Sequence, residues 1–399
     1  MSDDFIFTSE SVTTGHPDKL CDQVSDAIVD HFLGQDPNAG IVAECAMASG
    51  VLFISAHYAS KGGLAIPDVA RAVIRSVGYP REVFDADACT IMTSFMDHTE
   101  RDYHPLDLDA LDDDALGRVT AKDQVTVFGY ACDQTEALMP LPVVIAHALA
   151  RRLDDPDLEA DLPYLLPDAK VQVGVEYRDG RPVRIHSVAL ETSQREDAAP
   201  GLDRLRSDLI HGVITPVLAE QPVAPDGETH YFINPEGPVI GGGPAVHSGL
   251  TGRKTGIDTY GEYARHSGAA LSGKDPMRID RVGAYAARYA AKNAVAAGLA
   301  GECEVQLSYS IGSAGPVSLR VRTFGTGRID DAAIARHLQQ HFDFRIGAIV
   351  RDLRLRHLPA EHPEGFYRKL AAYGHMGRHD MDVPWERTDV AGRLAESAG

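Results

Sequence analysis

Apolar positions along the chain follow two rhythms, one suited to strands and one to helices. Gly50 to Tyr58 (GVLFISAHY) is apolar and β-branched, which predicts a strand. Pro67 to Val77 places Val69, Ala70, Val73, Ile74 and Val77 at helical spacing behind a leading proline, which predicts a helix. A second segment repeats the alternation: a strand at Val125 to Tyr130, a helix over Pro142 to Leu153, strands at Val171 to Tyr177 and Val183 to Leu190, and a helix over Asp203 to Leu218. Asp179-Gly180 between the two strands is a hairpin signal, because both turn residues tolerate positive φ. The Gly/Pro-rich stretch Asn234 to Gly252, with Gly241-Gly242-Gly243-Pro244, breaks the pattern and reads as a functional loop or a junction. A third segment has an Ala-rich helix from Arg281 to Ala297, capped by Gly298. Strands at Glu304 to Ile311 and Ser318 to Thr323 follow, then a helix over Asp331 to Phe342.

Length narrows this further. The chain has 399 residues, too many for one ordinary domain and enough for two or three. The formal net charge of -20 repels phosphate backbones, which argues against nucleic acid and anionic membranes as partners. No apolar run reaches the length of a membrane span, and the first residues lack the basic, then apolar, character of a signal peptide. The five cysteines are widely spaced with no C-x-x-C, as expected of reduced thiols in a cytoplasmic protein, and they do not suit a zinc site. The acidic run Leu106 to Leu116 reads either as a solvated helix face or as an exposed connection or lid.

Candidate chemistry gathers where cations break this acidic background. The chain lacks G-x-S-x-G, H-E-x-x-H and a G-x-G-x-x-G after a strand. Gly268 to Lys274 fits G-x-x-x-x-G-K, but Asp275 stands where a P-loop needs Ser or Thr. Gly15-His16-Pro17-Asp18-Lys19 packs three ionisable groups into a constrained loop before a helix over Cys21 to Leu33. Asp18 can alternatively be that helix's N-cap. Gly252-Arg253-Lys254 presents adjacent cations in a glycine turn, and Lys274, Asp280 and Arg281 follow. Carboxylates interspersed with cations suit a polyphosphate–magnesium site, with Asp18 and Asp280 able to hold hard ions.

Ordered along the chain stand FTSESVTTGHPDK (Phe7 to Lys19), FGYACDQT (Phe128 to Thr135), PDAK (Pro167 to Lys170) and GLTGRK (Gly249 to Lys254). DTYG (Asp258 to Gly261), SGKDP (Ser272 to Pro276), the run Asp280 to Ala300 and AAYGH (Ala371 to His375) follow. This series resembles the S-adenosylmethionine synthetase family from Phe5 to about Trp385. The resemblance implies an α/β (α+β) fold of three similar domains, near 3–102, 120–233 and 236–385, each a mixed sheet with helices on one face. It implies a homodimer or dimer of dimers with active sites between subunits. It also implies ATP as substrate, two Mg2+ and one K+, and attack of a thioether sulfur on C5′ with tripolyphosphate leaving. His16 is then expected at the leaving oxygen. Lys170, Arg253, Lys254 and Lys274 are expected on the phosphates, and Asp123, Asp168 and Val239 at the nucleoside. Asp18 and Asp280 are expected on magnesium and Glu44 on potassium. Ile311 is expected beside the acceptor.

The departures from the family concentrate at the acceptor. The family has Glu where His57 stands, Gln where His98 stands, Asp where His247 stands and Lys where Arg278 stands. Its GAGDQG loop reads Thr120-Ala121-Lys122-Asp123-Gln124-Val125 here. At the nucleoside end, Val239 replaces a stacking aromatic, Pro238 replaces an arginine, and a Gln-His pair reads Gln194-Arg195. Four readings follow: a divergent synthetase that still takes methionine; an enzyme rebuilt for an anionic acceptor without a free ammonium, favoured by His57, His98, His247, Lys122 and Arg278; a transition-metal site made by the three histidines; or an inactive regulatory subunit. Intact His16, Asp18, Lys170, Lys274 and Asp280 argue against the last.

Overall fold

The computed structural model describes residues 4–63 and 65–398, so Asp3, the expected domain start, lies outside the described residues. Three sheets form the frame. The first runs β1 (Phe5–Val12), β6 (Leu165–Arg178), β7 (Arg181–Gln194) and β8 (His230–Ile233), with β9 (Val239–Ile240) also on β7. The second runs β10 (Gly249–Leu250), β2 (Gly40–Ala48), β3 (Val51–Ala59) and β4 (Thr90–Asp97). The third runs β12 (Ser318–Arg322), β11 (Glu302–Tyr309) and β5 (Val125–Cys132). The first two sheets are mixed: β7–β8, β7–β9 and β3–β4 pair parallel. The third is antiparallel throughout its described strands.

Each sheet is backed by one long helix: Leu141–Leu153 against the first, Pro17–Gln35 against the second, and Ile279–Ala296 against the third. The three-domain α/β architecture is thus present, with a repeated sheet-and-helix plan that no obvious sequence repeat announces. Each sheet also takes a strand from another stretch of chain. β1 of the N-terminal segment pairs in register with β6, β5 pairs with β11, and β10 pairs with β2.

Most local expectations match the structure within a few residues. The hairpin turn has Asp179 at φ 48 and Gly180 at φ 71, both in the left-handed region. Gly298, φ 70, follows the Ala-rich helix. The helix expected over Asp203 to Leu218 is instead three pieces: α-helix Leu202–Leu209, a π-helical turn Ile210–Ile214, then Thr215–Ala219. Pro216 supplies no N–H to the preceding turn, and Arg152 Nε donates to the carbonyl of Gly212 at 3.0 Å. The acidic stretch 106–116 is anchored by Leu108 and Leu116, both buried. Only Asp113–Leu116 is helical there.

Candidate functional site

Most of the residues singled out by sequence fall into two groups. The first gathers at the N-terminus of helix Pro17–Gln35. His16 is the N-cap, its Nδ1 accepting from Asp18 N at 3.2 Å, so the cap is His16 and not Asp18. Asp18 is buried in the first turn, where Oδ1 accepts from Leu250 N at 3.0 Å and Arg253 approaches to 3.5 Å. Lys19 turns away into the core, where it pairs with Asp22 at 2.9 Å and with Asp258, so it is structural. The N-terminal dipole end of a 19-residue helix favours an anion beside these groups.

The PDAK strand lies against this loop. Gly15 leaves no room for a side chain: a Cβ there would meet Pro167 O at 2.5 Å. Asp168 Oδ2 accepts from Gly243 N at 2.7 Å and from His247 Nε2 at 2.8 Å. Ser193 Oγ donates to Asp168 O at 2.8 Å, and Ser193 pairs with Val239, which ties the expected nucleoside end to the same corner. The His16 and His247 rings meet edge to face with centroids 5.2 Å apart.

Glu10, unassigned in the sequence reading, bridges the cations: Lys170 Nζ lies 2.9 Å from Oε2 and Lys254 Nζ 3.1 Å from Oε1. Its signal was its place inside the FTSESVTTGHPDK motif. Burial opposes its ionisation, yet Lys170 and Lys254 outweigh that and hold its pKa below the ordinary value. Burial pushes His16 down to about 4 against the pull of Asp168 and Asp18. His247 is shifted upward by its hydrogen bond to Asp168.

The second group surrounds the SGKDP turn. Lys274 Nζ donates to Asp280 Oδ2 at 2.8 Å, and Asp280 is buried in the first turn of helix Ile279–Ala296. Arg278 sits at that helix's N-cap position, its Nε 3.6 Å from Asp275. A cavity of about 710 Å³ opens beside it, lined by His57, His98, Lys122 and Arg278. Its other basic walls, His104, Arg118 and Arg356, stand in no matched motif and carry no signal in the sequence. Its carboxylates among the described residues, Asp275 and Asp102, are already engaged. Asp275 accepts from Ile41 N and Met277 N, and Asp102 is paired with Arg101. Leu106, Leu111 and Ala115 of the acidic segment form part of the wall. The His57 and His98 rings lie 5.7 Å apart.

The three histidines therefore do not meet: His247 belongs to the first group, His57 and His98 to the second. The expectation of a metal site built from all three is corrected accordingly. Ile311 is 64% exposed and lies outside this cavity, held near the 120–125 loop by Gly312 N donating to Ala121 O at 2.9 Å. Asp123 is exposed on that loop, its carboxylate accepting from Gln124 N. Glu44 is exposed on β2, on the sheet face that also carries Phe53 and His57. Among the described residues no hydrogen bond or ion pair joins the two groups.

Cations, buried carboxylates and a helix N-terminus thus gather within a three-domain α/β frame. The family models for the N-terminal, central and C-terminal domains of S-adenosylmethionine synthetase match residues 4–99, 118–239 and 240–387. The chain belongs to the S-adenosylmethionine synthetase family, and is an enzyme of that adenosyl-transferring class. It is 46% identical to the S-adenosylmethionine synthase of Synechococcus sp. (strain JA-3-3Ab), over 98% of both chains. It is 44% identical to that of Thermosynechococcus vestitus, over 99% of this chain and 98% of the relative. With that of Microcystis aeruginosa the identity is 44%, over 100% and 99%.

Proposed function

We propose that the chain transfers the 5′-adenosyl group of ATP to the sulfur of an anionic acceptor that lacks a free ammonium, releasing tripolyphosphate that is then split to pyrophosphate and phosphate. The observation that carries the acceptor is the basic cavity: its imidazole, guanidinium and ammonium groups face no uncommitted carboxylate. A cavity of that charge in a chain of net charge -20 favours a carboxylate or phosphate and disfavours an ammonium.

A thioether sulfur bears no proton, so the step needs no general base. It needs alignment and stabilisation of the leaving charge. His16 serves the leaving oxygen, with Lys170, Arg253, Lys254 and Lys274 on the phosphates. Asp123, Asp168 and Val239 serve the nucleoside. His57, His98, His247, Arg278 and Ile311 serve the acceptor. Asp18 and Asp280 fit Mg2+: each is a buried carboxylate with one oxygen free of hydrogen bonds. Bound magnesium neutralises phosphate oxygens. Glu44 offers a single carboxylate for K+.

Two copies of the chain complete the site. The two groups stand apart in one chain, and the sheet face carrying Glu44 and His57 also exposes Phe53, Met92, Met96 and Leu250, an apolar surface suited to a partner copy. No helix among the described residues is long and apolar enough to cross a membrane, and all five cysteines are free, which supports a cytoplasmic setting.

The test is mass spectrometry of products from ATP, Mg2+ and K+, with methionine or with its deamino analogue. Adenosylated deamino analogue in excess over S-adenosylmethionine supports the proposal. Robust S-adenosylmethionine alone makes methionine the acceptor. No phosphate release with any acceptor favours a regulatory subunit.

A further inference from the structure

We infer that His16, His247 and Asp168 form a binding site for a divalent transition-metal ion of the zinc or cobalt class. One ligand atom from each residue lies within 4.8 Å of the other two. Two imidazoles and one carboxylate suit borderline ions, at metal–nitrogen distances of about 2.0–2.1 Å, and leave further positions open for water or an anion. The set is chemically distinct from the all-carboxylate pair Asp18 and Asp280, whose hard oxygens suit magnesium.

The surrounding structure fixes the three ligands. Asp168 is held by Gly243 N at 2.7 Å, and its carbonyl by Ser193 Oγ at 2.8 Å. His247 and His16 are held edge to face. His16 Nδ1 accepts from Asp18 N at 3.2 Å, so a ring that ligates an ion through Nε2 moves its proton to Nδ1 and gives up that cap bond. The direct His247–Asp168 contact of 2.8 Å is exchanged for two bonds to the ion. Histidine at 247, where the family has aspartate, supplies the second nitrogen.

The site is tested without ATP, so its outcome is separate from the acceptor question. Full-length protein stripped with chelator is titrated with Co2+ and followed by visible absorption, and Zn2+ binding is measured by equilibrium dialysis. Wild type takes one equivalent of Co2+ per chain, displaced by Zn2+. His247→Asn weakens binding at least about tenfold, while His57→Asn leaves it unchanged. His247 is exposed, so the melting temperature of His247→Asn stays that of wild type. Absence of Co2+ binding in wild type, equal binding in His247→Asn, or equal loss in both variants overturns the inference.

Discussion

His247 and Gly243 share one oxygen of Asp168, the imidazole at 2.8 Å and the backbone N–H at 2.7 Å. With aspartate at 247, two carboxylates would face each other there and call for a cation, which the ammonium of methionine supplies. Imidazole satisfies Asp168 without one. His247→Asp combined with His57→Glu is therefore expected to raise kcat/KM for methionine at least about tenfold, equivalent to about 1.4 kcal/mol. Steady-state kinetics check this, and no gain counts against the assignment of both positions to the acceptor.

Asp18 and Asp280 lie in different groups, so inactivating each should spoil a different half of a shared site. Asp18→Asn and Asp280→Asn are each expected to be nearly inactive. Mixing and exchanging subunits should restore about a quarter of wild-type activity, because half the dimers then carry one intact site. Activity that stays at zero after confirmed exchange argues that each chain works alone.

Gly15 brings the GHPDK loop onto Pro167 so closely that an added Cβ must push them apart. Gly15→Ala is expected to lower kcat by about 100-fold, the cost of misplacing reacting groups by about 1 Å. Its thermal melting should change little by comparison, and a large drop in melting temperature with normal kcat would contradict this.

Arg281 is fully buried and pairs with Asp26, whose Oδ1 also accepts from Gly273 N at 2.8 Å. Removing the guanidinium strands a buried carboxylate. Arg281→Met is expected to lose about 3–5 kcal/mol in urea unfolding, and Arg281→Met with Asp26→Leu should recover much of it.

His147 is buried against Ser11 Oγ at 2.9 Å, and desolvation depresses its pKa to about 3. Unfolded, it titrates at the ordinary value near 6.5, so below that pH the unfolded chain binds one more proton there. This contribution is present above the unfolded pKa and is lost as pH falls toward 3. The stability difference between wild type and His147→Gln should thus shrink by about 1.4 kcal/mol per pH unit below 6. Denaturation across pH 4.5 to 7.5 measures it, and a pH-independent difference would show that folding leaves the ring's pKa unshifted.

Local pattern made much of this legible. Asp179-Gly180, the helix of Val69 to Val77 and the Ala-rich helix carry their structure in short-range spacing. β1, β2 and β4 were not read as strands. Phe5–Val12 owes its conformation to pairing with Lys170 to Tyr177, far away in sequence. The site residues were legible as motifs, but their division was not. Spacing along the chain cannot show that His57 and His98 converge while His247 lies beside His16. The basic walls His104, Arg118 and Arg356 come from separate loops and turns that only tertiary packing brings together.

The borrowed strands close a cycle. The first segment lends β1 to the sheet of the second, the second lends β5 to that of the third, and the third lends β10 to that of the first. Like three people with linked arms, none of the units is complete until all are present. On the ribosome, the first sheet to emerge waits for residue 249, and β5 waits for residue 302. The nascent chain therefore carries unpaired strand edges through most of its synthesis, a long window for chaperone capture. A nick or truncation in any one unit would likewise open an edge in its neighbour.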